Sequence, residues 1–217
     1  MLRHRLVLPL GLFALFAMAA PALAGPPLLC HPFDIGDARS LPWDGREWSQ
    51  GRPDYNVANL VADTEAILTP TTPVIVRMET LRRAALYASL DGKVAAQLLR
   101  TLNARAAAAD RISAPASALA LFDAGYLTET YRQISELGRF GGLGTRSQAI
   151  TAVLGQADGR KLMDRTIALR PDDGAIQFAA ALVAASTDKT AYARHAARAR
   201  EGASRDPLLA RNIKQLS

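Results

Sequence analysis

The chain has 217 residues, of which 49% are hydrophobic and 21% charged, and its mean hydropathy is +0.03. These values exclude a disordered, collagen-like or multi-span membrane chain and describe an ordinary globular protein. The net charge of +6 is mild and aromatics make up only 6%, which argues against a nucleic-acid partner, since such proteins concentrate basic residues beside aromatics that stack on bases.

The chain begins with Arg3 and Arg5, an almost unbroken apolar run from Leu6 to Ala20, and the small-x-small sequence Ala22-Leu23-Ala24. This is the pattern of a signal peptide over residues 1–24. The run is short for a membrane span of about 20 residues, and it is interrupted by Pro9 and ended by Pro21. The expectation is therefore an exported protein, periplasmic or secreted, with no transmembrane segment after cleavage. Lipidation is not expected, because Cys30 follows Leu28-Leu29 rather than a small residue. Beyond the leader, 24 basic residues face 20 acidic ones, a net charge of +4. A single cysteine cannot form an internal disulfide, so stability must come from core burial in the remaining chain.

Residues 25–56 differ from the rest. They hold Pro26, Pro27, Pro32, Pro42 and Pro53, both tryptophans (Trp43 and Trp48), and turn-forming Gly36, Gly45 and Gly51. An extended, irregular segment is expected. Leu28, Leu29, Phe33, Ile35, Leu41 and Trp43 make it too apolar for a solvated tail, so it should pack on the helical body.

Residues 57–217 read as a helical domain. Val57, Leu60, Val61, Thr64, Ile67 and Leu68 follow helical spacing after an Asn56 cap. A second helix starts at Thr72-Pro73 and places Val74, Met78, Leu81 and Leu86 near one face. After an Asp91-Gly92 break, a third carries Val94, Leu98, Leu99 and Leu102, and the short break suggests an antiparallel hairpin of the two. Ser113 and Pro115 should start a fourth helix, with Leu119, Phe122, Tyr126 and Leu127 inward, reaching about Leu137. A glycine-rich loop over 138–145 precedes a short helix at Ser147–Leu154. Three more are expected over about 158–169, 173–186 and 188–203, and no sheet, because sustained period-two alternation is missing.

The C-terminal third has a repeat-like rhythm. Pro171 closes one helix and Pro207 another, 36 residues later, and Lys161–Ala184 resembles the second helix, proline turn and first helix of tetratricopeptide repeats. Aligned on Pro171, Ala181 fits the family's small position, whereas Thr166, Gln177 and Ala184 stand where it carries Ala, Trp and Tyr. The resemblance implies stacked antiparallel helical hairpins; an irregular helical bundle is the alternative all-α fold. The run Leu29-Cys30-His31-Pro32-Phe33-Asp34-Ile35-Gly36-Asp37-Ala38-Arg39-Ser40-Leu41-Pro42-Trp43 also resembles the opening of an uncharacterised family of exported bacterial helical proteins. That resemblance implies export and helicity and carries no activity.

Candidate chemistry is sparse. Cys30, His31, Asp34 and Asp37 fall within eight residues, but a nucleophilic cysteine needs a base that reaches its sulfur and a group that orients that base. Neighbouring side chains in an extended segment diverge, which leaves His195 as the other imidazole for Cys30. Too few Cys and His residues are present for an ordinary zinc site, and no cofactor or metal is expected. Gly141-Gly142-Leu143-Gly144-Thr145 lacks the lysine and the preceding strand of a phosphate loop. Arg194, Arg198, Arg200, Arg205 and Arg211 read as a solvated face. The expectation is an exported scaffold or binding protein, more a binder than an enzyme, recognising a peptide, protein or cell-envelope component through Cys30, His31, Asp34 and Trp43. The alternatives are a hydrolase using carboxylates such as Asp34, Asp63, Glu79 or Asp123, and a small-ligand carrier with a site between helices.

Overall fold

A computed structural model describes residues 25–44, 47–112, 114 and 117–216. The leader at 1–24 and the Ser113 and Pro115 start signals lie outside the described residues. Among the described residues, nine α-helices follow in chain order: α1 Leu60–Ile67, α2 Val74–Ala88, α3 Gly92–Asp110, α4 Ala118–Arg139, α5 Thr145–Leu154, α6 Gly159–Leu169, α7 Gly174–Ala184, α8 Lys189–Gly202 and α9 Pro207–Asn212. No strand occurs among the described residues. The fold is all-α, a helical bundle with residues 25–56 laid across it.

Helix starts are set by one device used repeatedly. Asp91, Asp158, Asp173, Asp188 and Asp206 each stand immediately before a helix, and each carboxylate accepts a first-turn backbone N–H. This satisfies donors that have no partner within the helix. Asn56 does the same for a 3-10 turn, Val57–Asn59, that leads into α1.

The hydrophobic core gathers around α2, α4 and α7. Every residue of α2 except Arg83 is buried, not only the face of Val74, Met78, Leu81 and Leu86. Helical spacing marks one apolar stripe, but α2 is covered on its other sides by residues 25–56, α1 and α7. The expected α2–α3 hairpin is correspondingly slight, and α3 packs chiefly on α4. Tyr131 Oη in the second half of α4 donates to Ala95 O near the start of α3, so these two run antiparallel. Helix α6 also lies antiparallel on α4, with Thr166 Oγ1 reaching Ala118 O.

Two glycine pairs set how closely helices approach. A Cβ on Gly159 would stand 2.4 Å from Gly125 O, and one on Gly174 would stand 2.9 Å from Gly202 Cα. The first pair brings α6 onto α4. The second closes α7 and α8 into an antiparallel hairpin, the start of one against the end of the other.

The segment 25–56 is held by side chains from the helices. Leu28, Leu29 and Leu41 are fully buried, and Phe33 packs edge-on against Phe178 of α7 with centroids 6.0 Å apart. Its backbone, which has no ladder of its own, finds partners on the bundle. Leu28 N donates to Gln133, Tyr87 Oη donates to Pro42 O, and Arg52 N donates back to Tyr87 Oη. Gly51 lets the chain lie on the Tyr87 ring, since a Cβ there would come within 2.3 Å of ring carbons. At the other end of the protein, Asn212 of α9 accepts from Asp34 N and donates to Asp34 O. Helix α9, which lies beyond the last helix expected from the sequence at 188–203, thus helps hold the segment.

Candidate functional site

The polar centre of the molecule is Glu79, fully buried on α2. Its Oε2 accepts from Arg82 Nε at 2.8 Å and Phe33 N at 3.0 Å, and its Oε1 accepts from Arg82 Nη2 at 2.8 Å and Arg83 Nε at 2.7 Å. Arg82 Nη1 then donates to Leu29 O and Trp48 O, and Arg83 Nη1 to Leu41 O. Burial by itself raises a carboxyl pKa, but here the Arg82 hydrogen bond, the Arg82 and Arg83 charges and the Phe33 N–H outweigh it, and the Glu79 pKa is lowered. One carboxylate and two guanidiniums therefore bind the 25–56 segment at residues 29, 33, 41 and 48. This is a fastening in which Glu79 and Arg82 are closed to solvent and Arg83 lies at the edge.

Asp123 on α4 is equally enclosed and differs in sign. Its Oδ2 accepts from Arg77 Nη1 at 2.6 Å, while Oδ1 has no partner among the described residues. Burial dominates over Arg77, and the Asp123 pKa is pushed up to about 6. Arg77 also donates to Thr72 O and Thr69 O, securing the α1–α2 turn.

The residues singled out near the N-terminus are not assembled into a reactive centre. Cys30 is half-buried, and burial pushes its thiol pKa up, with Arg82 opposing; a protonated thiol is a poor nucleophile. His31 Nε2 is buried without a hydrogen-bond partner among the described residues. Asp34 is exposed, accepts from Gly36 N in a turn and lies 3.5 Å from Arg211 Nη1. Asp37 is exposed, and Trp43 is half-buried, edge-on to Tyr87 at 5.6 Å and under Arg82 at 4.9 Å. Asp63, the remaining acid of the hydrolase alternative, accepts from Tyr55 Oη at 2.8 Å. Among the described residues, no group of three or more His, Cys, Asp or Glu side chains is placed to hold a metal ion. The glycine-rich loop makes the tight α4–α5 connection, with positive φ at Gly141, Leu143 and Gly144.

His195 occupies a different kind of place. It lines a groove of about 290 Å³ between α6, α7 and α8, floored by Met163, Ile167 and Val183 and rimmed by Arg160, Asp164 and Arg194. His195 Nδ1 lies 2.6 Å from Gln177 Oε1, and Gln177 Nε2 donates to Pro171 O. With the amide thus oriented, Nδ1 carries the hydrogen and Nε2 is the acceptor, 3.2 Å from Arg194 Nη2. Burial, then the Arg194 and Arg198 charges, lower the His195 pKa, so the ring is neutral at pH 7. His195, the other imidazole that the sequence offers to Cys30, instead has Gln177 and Arg194 as its neighbours. The α7 position of Gln177, one helical hairpin away, is a tertiary relation that no local spacing carries.

Compared with known proteins, the chain matches no family model, no curated protein and no solved structure.

Proposed function

We propose that this protein is an exported binding protein whose α6–α8 groove recognises a peptide or protein segment in the cell envelope. The observation that carries this reading is the contrast between its polar groups. Glu79 and Asp123, the acids best suited to catalysis by burial, are enclosed and committed to arginines, whereas the His195 groove is open and combines an apolar floor with a charged rim. Apolar side chains of a bound segment would fill the floor, and its carbonyl oxygens and carboxylates would meet the rim arginines Arg160 and Arg194. The antiparallel α7–α8 hairpin following α6 agrees with the tetratricopeptide-like reading of the same residues. Export rests on the Arg3/Arg5 start and the Ala22-Leu23-Ala24 site, and gives Gly25 as the first residue of the mature chain.

A photo-crosslinking residue at Thr187, exposed at the groove, tests the proposal in the native envelope. One reproducible protein adduct is expected there. It should be absent with the crosslinker at Gln97, an exposed position on α3, and lost when Arg160 and Arg194 are both replaced by Glu. The same adduct at both positions, or none from Thr187, would overturn the groove as the recognition surface.

A further inference from the structure

Away from the α6–α8 groove, a second pocket of about 300 Å³ lies between the 49–57 segment, the C-terminal end of α2 and the first turn of α5. Its lining includes two arginines, Arg52 and Arg146, and no acid. Arg52 is paired outside the pocket with Asp54. Arg146 is half-buried and has no carboxylate of the described residues within ion-pair distance. Its guanidinium donates only to neutral oxygens: Nε to Ser89 Oγ at 2.9 Å, Nη1 to Ser49 O at 3.1 Å and Nη2 to Leu86 O at 2.7 Å.

Those three bonds leave two of the five guanidinium N–H groups unassigned, one on each Nη. The charge is also incompletely balanced. Leu86 O belongs to the last turn of α2, whose dipole offsets about half a unit charge at its C-terminal end. Burial lowers the Arg146 pKa, as expected for a desolvated cation with no carboxylate of the described residues beside it. Beside it the pocket wall is apolar and aromatic: Tyr55 and Tyr87 lie 4.4 Å apart in a tilted pair, above buried Leu86, with Leu90 at the mouth 58% exposed.

We propose that this pocket binds a small organic monocarboxylate, with its carboxylate on Arg146 and a compact apolar or aromatic group against Tyr55, Tyr87 and Leu90. A monoanion is favoured over a phosphate dianion because one half-compensated cation, ringed by carbonyl oxygens, matches a single negative charge. A guanidinium suits a carboxylate's planar pair of acceptors, and the pocket volume suits a ligand of one ring.

Benzoate is the probe, benzamide its neutral counterpart and inorganic phosphate the competing anion, with binding read by methyl NMR shifts at Leu86 and Leu90 and by calorimetry. Saturable benzoate binding is expected, about tenfold or more tighter than benzamide, the worth of one charge-assisted hydrogen bond. Arg146→Gln should abolish the difference between the two. Because Arg146 also ties Ser49 to Leu86, Leu90→Glu supplies a second variant. It places a carboxylate at the exposed mouth and should block benzoate at unchanged melting temperature. No benzoate binding, equal binding of benzamide, tighter binding of phosphate, or benzoate binding undiminished in Leu90→Glu would each overturn the proposal. None of these outcomes bears on the α6–α8 groove, which shares no residue with this pocket.

Discussion

Replacing Glu79 by Gln removes one charge and almost no volume, and therefore isolates the electrostatic fastening of the 25–56 segment. The carboxylate accepts four hydrogen bonds, two at each oxygen. The amide keeps one oxygen and turns an NH2 group toward the other pair of donors, leaving either Phe33 N and Arg82 Nε or Arg82 Nη2 and Arg83 Nε without an acceptor. Arg82, fully buried, also loses its counterion. Breaking a buried pair from one side costs about 3–5 kcal/mol, and for a domain of this size each kcal/mol shifts the melting temperature by about 2–4 °C. The expected fall is about 6–20 °C by calorimetry at pH 7. Limited proteolysis should also open first within residues 25–56. The pH dependence supplies an independent check. The Glu79 pKa is lower in the folded state than its ordinary value of 4.5, so its contribution is fully present above 4.5 and is lost as pH falls through the folded value. Glu79→Gln should flatten that acid limb. A melting shift below about 2 °C, with the acid limb unchanged, would refute the fastening.

Asp123 should show the opposite slope: its folded pKa of about 6 lies above the ordinary 3.8, so its contribution is complete below 3.8 and is lost as pH rises through 6, and Asp123→Asn should flatten the decline between these values in denaturant midpoints measured against pH. Gly174→Ala places a Cβ 2.9 Å from Gly202 Cα and should cost about 1–3 kcal/mol through forced separation of α7 and α8, read by urea unfolding; an unchanged midpoint would contradict the close crossing. Trp43→Ala removes a half-buried ring from Tyr87 and Arg82, and about 2 kcal/mol is expected rather than the 3–5 kcal/mol of a fully enclosed tryptophan. Cys30→Ala, measured beside it, should change the melting temperature little, since no disulfide is lost.

The sequence by itself determined what depends on neighbours in the chain. The aspartates before α3, α6, α7 and α8, followed by apolar residues at helical spacing, mark where these helices start because the cap and its donors lie within three residues. The apolar side chains of 25–56 likewise announced burial, because nothing in that segment offers them a core. Tertiary structure decided the rest. Arg77, Glu79, Arg82 and Asp123 are of types that ordinarily face solvent, and only the closing of the bundle around α2 and α4 turns them into an interior network. Gly174 and Gly202 are 28 positions apart, and neither signals a helix crossing until the two helices meet. The same holds for the two pockets: the Gln177–His195 pair spans two helices, and the carbonyls that surround Arg146 come from residues 49 and 86. Spacing along a chain encodes periodicity, while the charge balance and solvent access of a side chain are properties of what packs against it.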